Sequence, residues 1–402
     1  MPTLSRSTDT ARRQGYSPMK LAWLVAVLLF AAAYITAQEQ TYPIVVDANV
    51  GHVHGPLPCV TPYSAAYATV GAAVNASTTL AGATILVCPG TYPEQITISK
   101  SLTLRGVTNT AANTGAAVIT VPASGLVFNF TSAQAFFGRL VAAQVLIQAS
   151  NVTLTDIGVD GAGALNGCSN ILIGIGFDAN SSGLLRRVAA RNQNVPNGTG
   201  QYCSLGAGIF SLTGNGVTLQ DSVVRGFDGA GFASSGASSV VIRTTVFTQV
   251  NGAGVGGFRI NSVCVGAVAG SVEVSNNTLA NCERGLVLSD SVQATIGLNT
   301  IVSVAGNPAA TGIECGTVCT LAKIFYNTIA GADVGIFGGS QGFSGCSIQY
   351  NDISGASSAI VSLSSGNTVS YNTINDAGLG IAGVSGNAVS NNTFLNVATL
   401  TQ

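Results

Sequence analysis

Charge is scarce in this chain. Only 8% of its 402 residues are Asp, Glu, Lys or Arg, against about a quarter in an ordinary globular domain. Hydrophobic residues at 47% exclude a disordered chain. Aromatic residues make up 6%, and the single tryptophan is Trp23. Beyond Lys20 the only lysines are Lys100 and Lys323. The clustered positive charge that phosphate recognition needs is therefore missing, and no nucleic-acid partner is expected. His52 and His54, in "VGHVHGPLPC", are the only imidazoles, with Asp47 and Cys59 as their nearest companions. They read as a polar lead-in and not as a metal pair. Neither a CxxC pair nor a GGxGxD calcium phrase occurs, so neither metal nor cofactor is expected.

The one long apolar run is "LAWLVAVLLFAAAYI", Leu21–Ile35, preceded by Arg6, Arg12, Arg13 and Lys20 and followed by "ITA" ending at Ala37. It falls short of the ~20 residues of a membrane span. Residues 1–37 therefore read as a cleaved export signal, with no membrane contact after removal and a secreted, periplasmic or cell-surface address. Cleavage leaves 11 basic against 15 acidic residues. All nine cysteines lie beyond the signal, so disulfides are expected and one thiol is left over. Cys59 with Cys88 and Cys264 with Cys282 are candidate pairs, whereas Cys315, Cys319 and Cys346 are not paired by spacing alone.

What the chain has in plenty is small residues, 50 Gly among them, in a repeat. "QATIGLNTIVSVAG", "LAKIFYNTIAGADVGI", "SIQYNDISGASSAI" and "TVSYNTINDAGLGI" are versions of one phrase. Its asparagine falls at Asn277, Asn299, Asn327, Asn351, Asn372 and Asn392. A period between 20 and 30 signals a repeat architecture. Short alternating runs broken by Asn and Gly are strands, not helices. Without a Leu ladder, and at half a propeller blade's period, the unit is one coil of a parallel β-helix, with roughly 12 coils in all. Stacked coils align equal positions, so the asparagines form a hydrogen-bonded ladder. Asn also suits a left-handed corner, which the ladder residue is expected to occupy. Tyr326, Tyr350 and Tyr371, each preceding a ladder asparagine, share the parity of inward apolar residues and are expected in the core.

"VCPGTYPEQITISKSLTLRG", Val87–Gly106, resembles the first coil of secreted right-handed β-helix proteins of the pectin-lyase-like superfamily. "YSAAYATVGAAVNAST" before it resembles their capping helix, with Ala66, Val70, Ala73 and Val74 on one face. "ASNVTLTDIGVDGA", "AARNQ" and "YCSLGAGIF" resemble bacterial secreted members of this class. The resemblance implies a signal at 1–37, a cap segment at 38–83 and a solenoid at 84–402. It also implies a function among lyases, hydrolases, epimerases and proteins without activity. The pectate-lyase, polygalacturonase and epimerase catalytic phrases are all absent. The final "NVATLTQ" shows no polar cap, so the last coil is expected to be exposed and to self-associate or meet a partner.

Because charge is rare, its clustering is informative. Aligned on their strands, three middle coils place Asp156, Arg187 and Asp221 in one column. Asp160, Arg191 and Arg225 fall in a second column, which should face water. The first column is expected inward or at the corner, as a mutually neutralising ladder. The loops of these coils carry Cys168 and Cys203, a further candidate pair. A polysaccharide lyase needs a base and a cation to steady developing charge. Asp160, Arg191 and Arg225 are the candidates for that chemistry, with Arg186, Asp178 and Asp228 as substrate contacts. A hydrolase needs two carboxyls about 5–10 Å apart, for which Asp160 with Asp178 or Asp228 would serve. Two functions stand at this point: an exported β-helix that binds or cleaves polysaccharide, and a non-enzymatic adhesin or scaffold.

Overall fold

Alternating apolar and polar residues pay their conformational cost only if neighbouring strands cover the apolar side, and here each coil covers the next. The computed structural model describes residues 44–47, 59, 66–107, 117–164, 169–194, 206–214, 216–249, 262–303, 310–317, 319–339 and 342–401. Each coil contributes a strand to three faces, and the strand pairings among the described residues are parallel. The second face is one 12-stranded sheet from Gly90–Pro93 to Thr393–Leu395, one strand per coil, which gives the expected coil number. The first and third faces merge into a 24-stranded sheet. They join because Ala230–Arg243 and Val263–Ser275 run from the third face of one coil into the first face of the next. The molecule is a right-handed parallel β-helix, the hand that parallel crossovers adopt almost without exception.

The register explains the core. Leu104, Leu154, Leu185, Leu219, Ile242, Val274, Ile296, Ile324, Ile348 and Val369 pair in sequence along the first face, and all are buried. The first coil is closed by the helix Val70–Asn75, which buries Val70, Ala73 and Val74. Thr69 Oγ1 accepts from the Ala72 amide at 3.1 Å, and the Glu94 carboxylate accepts from the Val70 and Gly71 amides at 2.7 Å each. These acceptors satisfy the helix's opening N–H groups. Ala66 is not part of this helix. It belongs to the strand Ala66–Tyr67, which pairs with Ile44–Val46 on the solenoid's leading edge.

Cys59–Cys88 and Cys264–Cys282 are bonded as expected, and Cys315–Cys319 forms a further bridge. Cys346 is free and buried. Cys168, Cys203, His52, His54 and the signal segment lie outside the described residues. Among the described residues no helix is long and apolar enough to cross a membrane. In the last coil Leu395 and Leu400 are exposed and Val389 and Phe394 are half-buried.

The asparagine ladder is continuous. Nδ2 of Asn277, Asn299, Asn327, Asn351 and Asn372 donates to Oδ1 of the next asparagine at 3.0, 2.9, 2.9, 3.0 and 2.9 Å, ending at Asn392. Each Oδ1 also accepts the backbone N–H of the preceding ladder residue, at 3.0–3.1 Å. A second, shorter ladder joins Asn367 to Asn387 at 2.9 Å.

Two expectations are corrected. The left-handed residue is the one before the ladder asparagine: Asn276, Leu298, Tyr326, Tyr350, Tyr371 and Asn391 have φ between 51° and 66° or close to it, at 56°, 58°, 54°, 57°, 58° and 55°. The ladder asparagine itself turns inward. For the same reason Tyr326, Tyr350 and Tyr371 are not core residues. A left-handed residue interrupts the two-residue alternation, so the tyrosines project outward and are 54%, 43% and 49% exposed.

Replacing Asn351 by Ala leaves the buried backbone N–H of Asn327 without its acceptor and takes one acceptor from its side-chain amide. The expected loss is about 1–3 kcal/mol, read as a lower urea midpoint with an unchanged m-value. A midpoint within error of the parent would remove the ladder from the list of stabilising contacts.

Candidate functional site

The bend between first and second faces carries one left-handed residue in coil after coil. From the N-terminal side these are Asp156, Arg187, Asp221, Thr244, Asn276, Leu298, Tyr326, Tyr350, Tyr371 and Asn391. Their side chains line one edge of the solenoid, charged in its first part and aromatic in its last.

In the charged part, Arg187 makes a two-pronged contact with Asp156 in the preceding coil, Nε to Oδ1 at 2.6 Å and Nη2 to Oδ2 at 2.7 Å. Burial pushes the Asp156 carboxyl up, but the hydrogen bonds and charge of Arg187, with Thr155 and Arg105, hold it below the usual carboxylate range. This is the neutralising ladder expected at the corner. Arg186 and Asp221 are exposed and pair at 3.4 Å.

The second column also forms. Asp160, Arg191 and Arg225 stand in register on neighbouring second-face strands. Asp160 Oδ2 accepts from Arg191 Nε at 2.8 Å, and Oδ1 accepts from Asn192 Nδ2 at 2.8 Å and the Ala162 amide at 3.1 Å. With three donors on its two oxygens, the carboxylate keeps little spare accepting capacity for a substrate proton. Arg225 is exposed, and its side chain makes no hydrogen bond or ion pair with the described residues.

The two further carboxylates do not join Asp160. Asp178 accepts from Gln148 Nε2 at 3.0 Å, the Ala179 amide at 2.8 Å and the Ser132 hydroxyl, which ties the helix Thr131–Phe137 to the coil. The Asp160 carbonyl is instead held by Gln144 Nε2 at 3.0 Å. Gln144 lies on the strand Val141–Ile147 and Gln148 just past its end, so Asp160 and Asp178 are held from different points of the chain. Asp228 is fully buried and its carboxylate accepts from the Gly206 amide, out of reach of a surface polymer. The structure thus brings together Asp160, Arg191 and Arg225, leaves Arg186 across the bend on the first face, and sets Asp178 and Asp228 apart.

In the aromatic part, the rings of Tyr326 and Tyr350 stack at 4.9 Å and 12°, and those of Tyr350 and Tyr371 at 5.0 Å and 8°. Phe325 meets Tyr326 edge-on at 5.9 Å. Its ring lies over Gly297, where an added Cβ would fall 2.7 Å from Cζ. Exposed Leu298 extends the apolar strip by one coil. The ring faces are largely used within the stack, so ring edges and a row of phenol hydroxyls meet solvent at one per coil.

The fold and this edge define a class: a right-handed parallel β-helix with a lateral strip of charged and aromatic side chains. No family model matches the chain, and no curated protein matches it. Among solved structures it is similar to the A-module of a mannuronan C-5 epimerase of Azotobacter vinelandii, at 14% identity over 83% of this chain and 92% of that one, TM-score 0.40. A PL6 alginate lyase is similar at 11% identity over 81% of each chain, TM-score 0.40. The surface adhesin PfbA of Streptococcus pneumoniae is similar at 11% identity over 78% of this chain and 90% of that one, TM-score 0.30. These likenesses concern the winding of the chain and transfer no residue.

Asp156→Asn tests the charged corner. A carboxyl with a depressed folded value stabilises the fold above its unfolded value of about 3.9 and loses that contribution as pH falls through the folded value. The variant is expected to be less stable by about 1.5–3 kcal/mol at pH 7 and to converge with the parent at the acid end of a pH–stability profile. A constant difference at all pH values would mean that the pair with Arg187 contributes nothing electrostatic.

Proposed function

We propose that the protein is an exported, polysaccharide-associated β-helix that binds an extended glycan along the bend between its first and second faces. The observation that carries this reading is the exposed, parallel stack of Tyr326, Tyr350 and Tyr371. Stacked tyrosines repeat a ring edge and a hydroxyl once per coil along the solenoid axis. A repeating polymer lying parallel to that axis meets an equivalent group with every step, and tyrosine supplies both apolar contact and a hydrogen bond. Exposed aromatic side chains are also the residues that dominate binding energy when a surface is covered. Arg225 on the second face, and Arg186 across the bend on the first, favour a carboxylated polymer over a neutral one in the charged coils.

Binding is favoured over cleavage because the acidic groups near the strip are already paired. The cleaving version of the proposal gives Asp160 the role of base and gives Arg191 and Arg225 the developing charge to hold. It asks Asp160 to take a further proton beside the donors it already holds.

Acidic and neutral polysaccharides titrated against the protein should show retention of at least one. Tyr350→Ala should weaken it about tenfold, the ~1.4 kcal/mol scale of an interface tyrosine. Arg191→Ala with Arg225→Ala should weaken only acidic polymers. New reducing or unsaturated chain ends that vanish in Asp160→Asn would add catalysis. Unchanged binding by the Tyr350 variant would sink the strip as the binding surface.

A further inference from the structure

The outward side of the third face holds a site of a different kind. On most strands outward residues are polar, but Val141–Ile147, Ile171–Phe177 and Gly206–Ser211 are buried at every position. The helix Thr131–Phe137 lies over them, and Phe130, Ala133 and Phe137 join an outer apolar cluster with Ile171, Ile173 and Phe210. Toward the C-terminus outward residues become small, with Ala230 and Ala233 in one coil and Gly266 in the next. A trough of about 380 Å³ opens there, walled by Phe136, Phe137 and Phe210 on one side and by Arg284 and Val287 on the other.

Arg284 decides what the trough accepts. Its Nε is buried without a hydrogen-bond partner among the described residues. Its nearest acid, Glu314, stands 3.8 Å from Nη1, beyond hydrogen-bond range. A partly exposed guanidinium whose ion pair is loose, at the end of an apolar trough, matches a carboxylate borne on an apolar body. The volume suits a small molecule and not a polymer. The loose contact with Glu314 leaves Arg284 able to turn to a second carboxylate.

We propose that this trough binds a small amphiphilic carboxylate, with its apolar body against Phe137, Phe210 and Ala233 and its carboxylate on Arg284. The site is separate from the glycan strip, and its test does not depend on that reading. Free fatty acids and aromatic acids share the required chemistry.

The test uses the whole exported chain and measures displacement of the fluorescent probe 8-anilinonaphthalene-1-sulfonate. Decanoate and decanol are compared as aliphatic competitors, and naphthoate and naphthol as aromatic ones. An acid that competes at a concentration at least tenfold below that of its alcohol is the expected result, and the series in which this occurs identifies the body. Arg284→Gln should bring acid and alcohol together. Ala233→Phe, which fills the trough, should abolish both while the circular-dichroism melting curve stays that of the parent. Equal competition by acid and alcohol in the parent protein would overturn the proposal. So would failure of the probe to bind, or decanoate and naphthoate affinities unchanged in a folded Arg284→Gln variant.

Discussion

Everything on this molecule's lateral surface depends on one backbone constraint, the left-handed residue at the bend between first and second faces. A non-glycine residue costs roughly 1–2 kcal/mol in that conformation, and the solenoid accepts it in coil after coil. The bend turns the chain sharply enough for Asn277, Asn299 and their successors to enter the core one residue later, where the ladder satisfies their amides. It also turns the left-handed residue's own side chain out. Because the coils are in register, such side chains meet their counterparts above and below. The column must then be filled with groups that tolerate close company along the axis. Two solutions occur here: alternating ion pairs such as Asp156 with Arg187, and stacked rings at Tyr326, Tyr350 and Tyr371. Like charges repeated up such a column would repel, and none are neighbours at this bend among the described residues.

The fold was legible because a solenoid writes its register into the sequence. The asparagine spacing predicted which residues would touch, and the charged columns fell into register for the same reason. Parity failed at the bend. Counting from Ile324, which is buried, strict alternation sends Tyr326 inward, and it is exposed. The residue at 326 is the left-handed one, so the count must restart at Asn327. Within a strand the count held: Val159, Ala190 and Val224 point in and are buried, whereas Asp160, Arg191 and Arg225 point away from the core. Asp178 and Asp228 were placed with Asp160 because nothing in the sequence tells how a loop folds back over its own coil.

The trough was missed although a signal was present. "VAAQVLI", "ILIGIGF" and "GAGIFS" lack the alternation of their neighbours. A strand apolar at every position is covered on both sides, so these three announced an outer cover, which the helix Thr131–Phe137 supplies. What periodicity does not supply is where the cover stops. That depends on helix length, on the link from Ser132 to Asp178, and on the switch to alanine and glycine at Ala230, Ala233 and Gly266.

Coil length explains why two surfaces of such different character sit on one solenoid. Ladder asparagines in the C-terminal half are 22, 28, 24, 21 and 20 residues apart. Coils this short spend nearly all their residues on strands and bends, so whatever they display recurs once per coil. A surface of that kind recognises a repeating partner, and its affinity grows with the number of coils engaged. The middle coils are longer, at 31 and 34 residues between Asp156, Arg187 and Asp221. Extra residues let a coil differ from its neighbours, and the helix Thr131–Phe137, inserted in the coil before Asp156, is such a difference and walls the trough. The regular coils therefore suit a polymer, and the trough forms where an inserted helix ends against them.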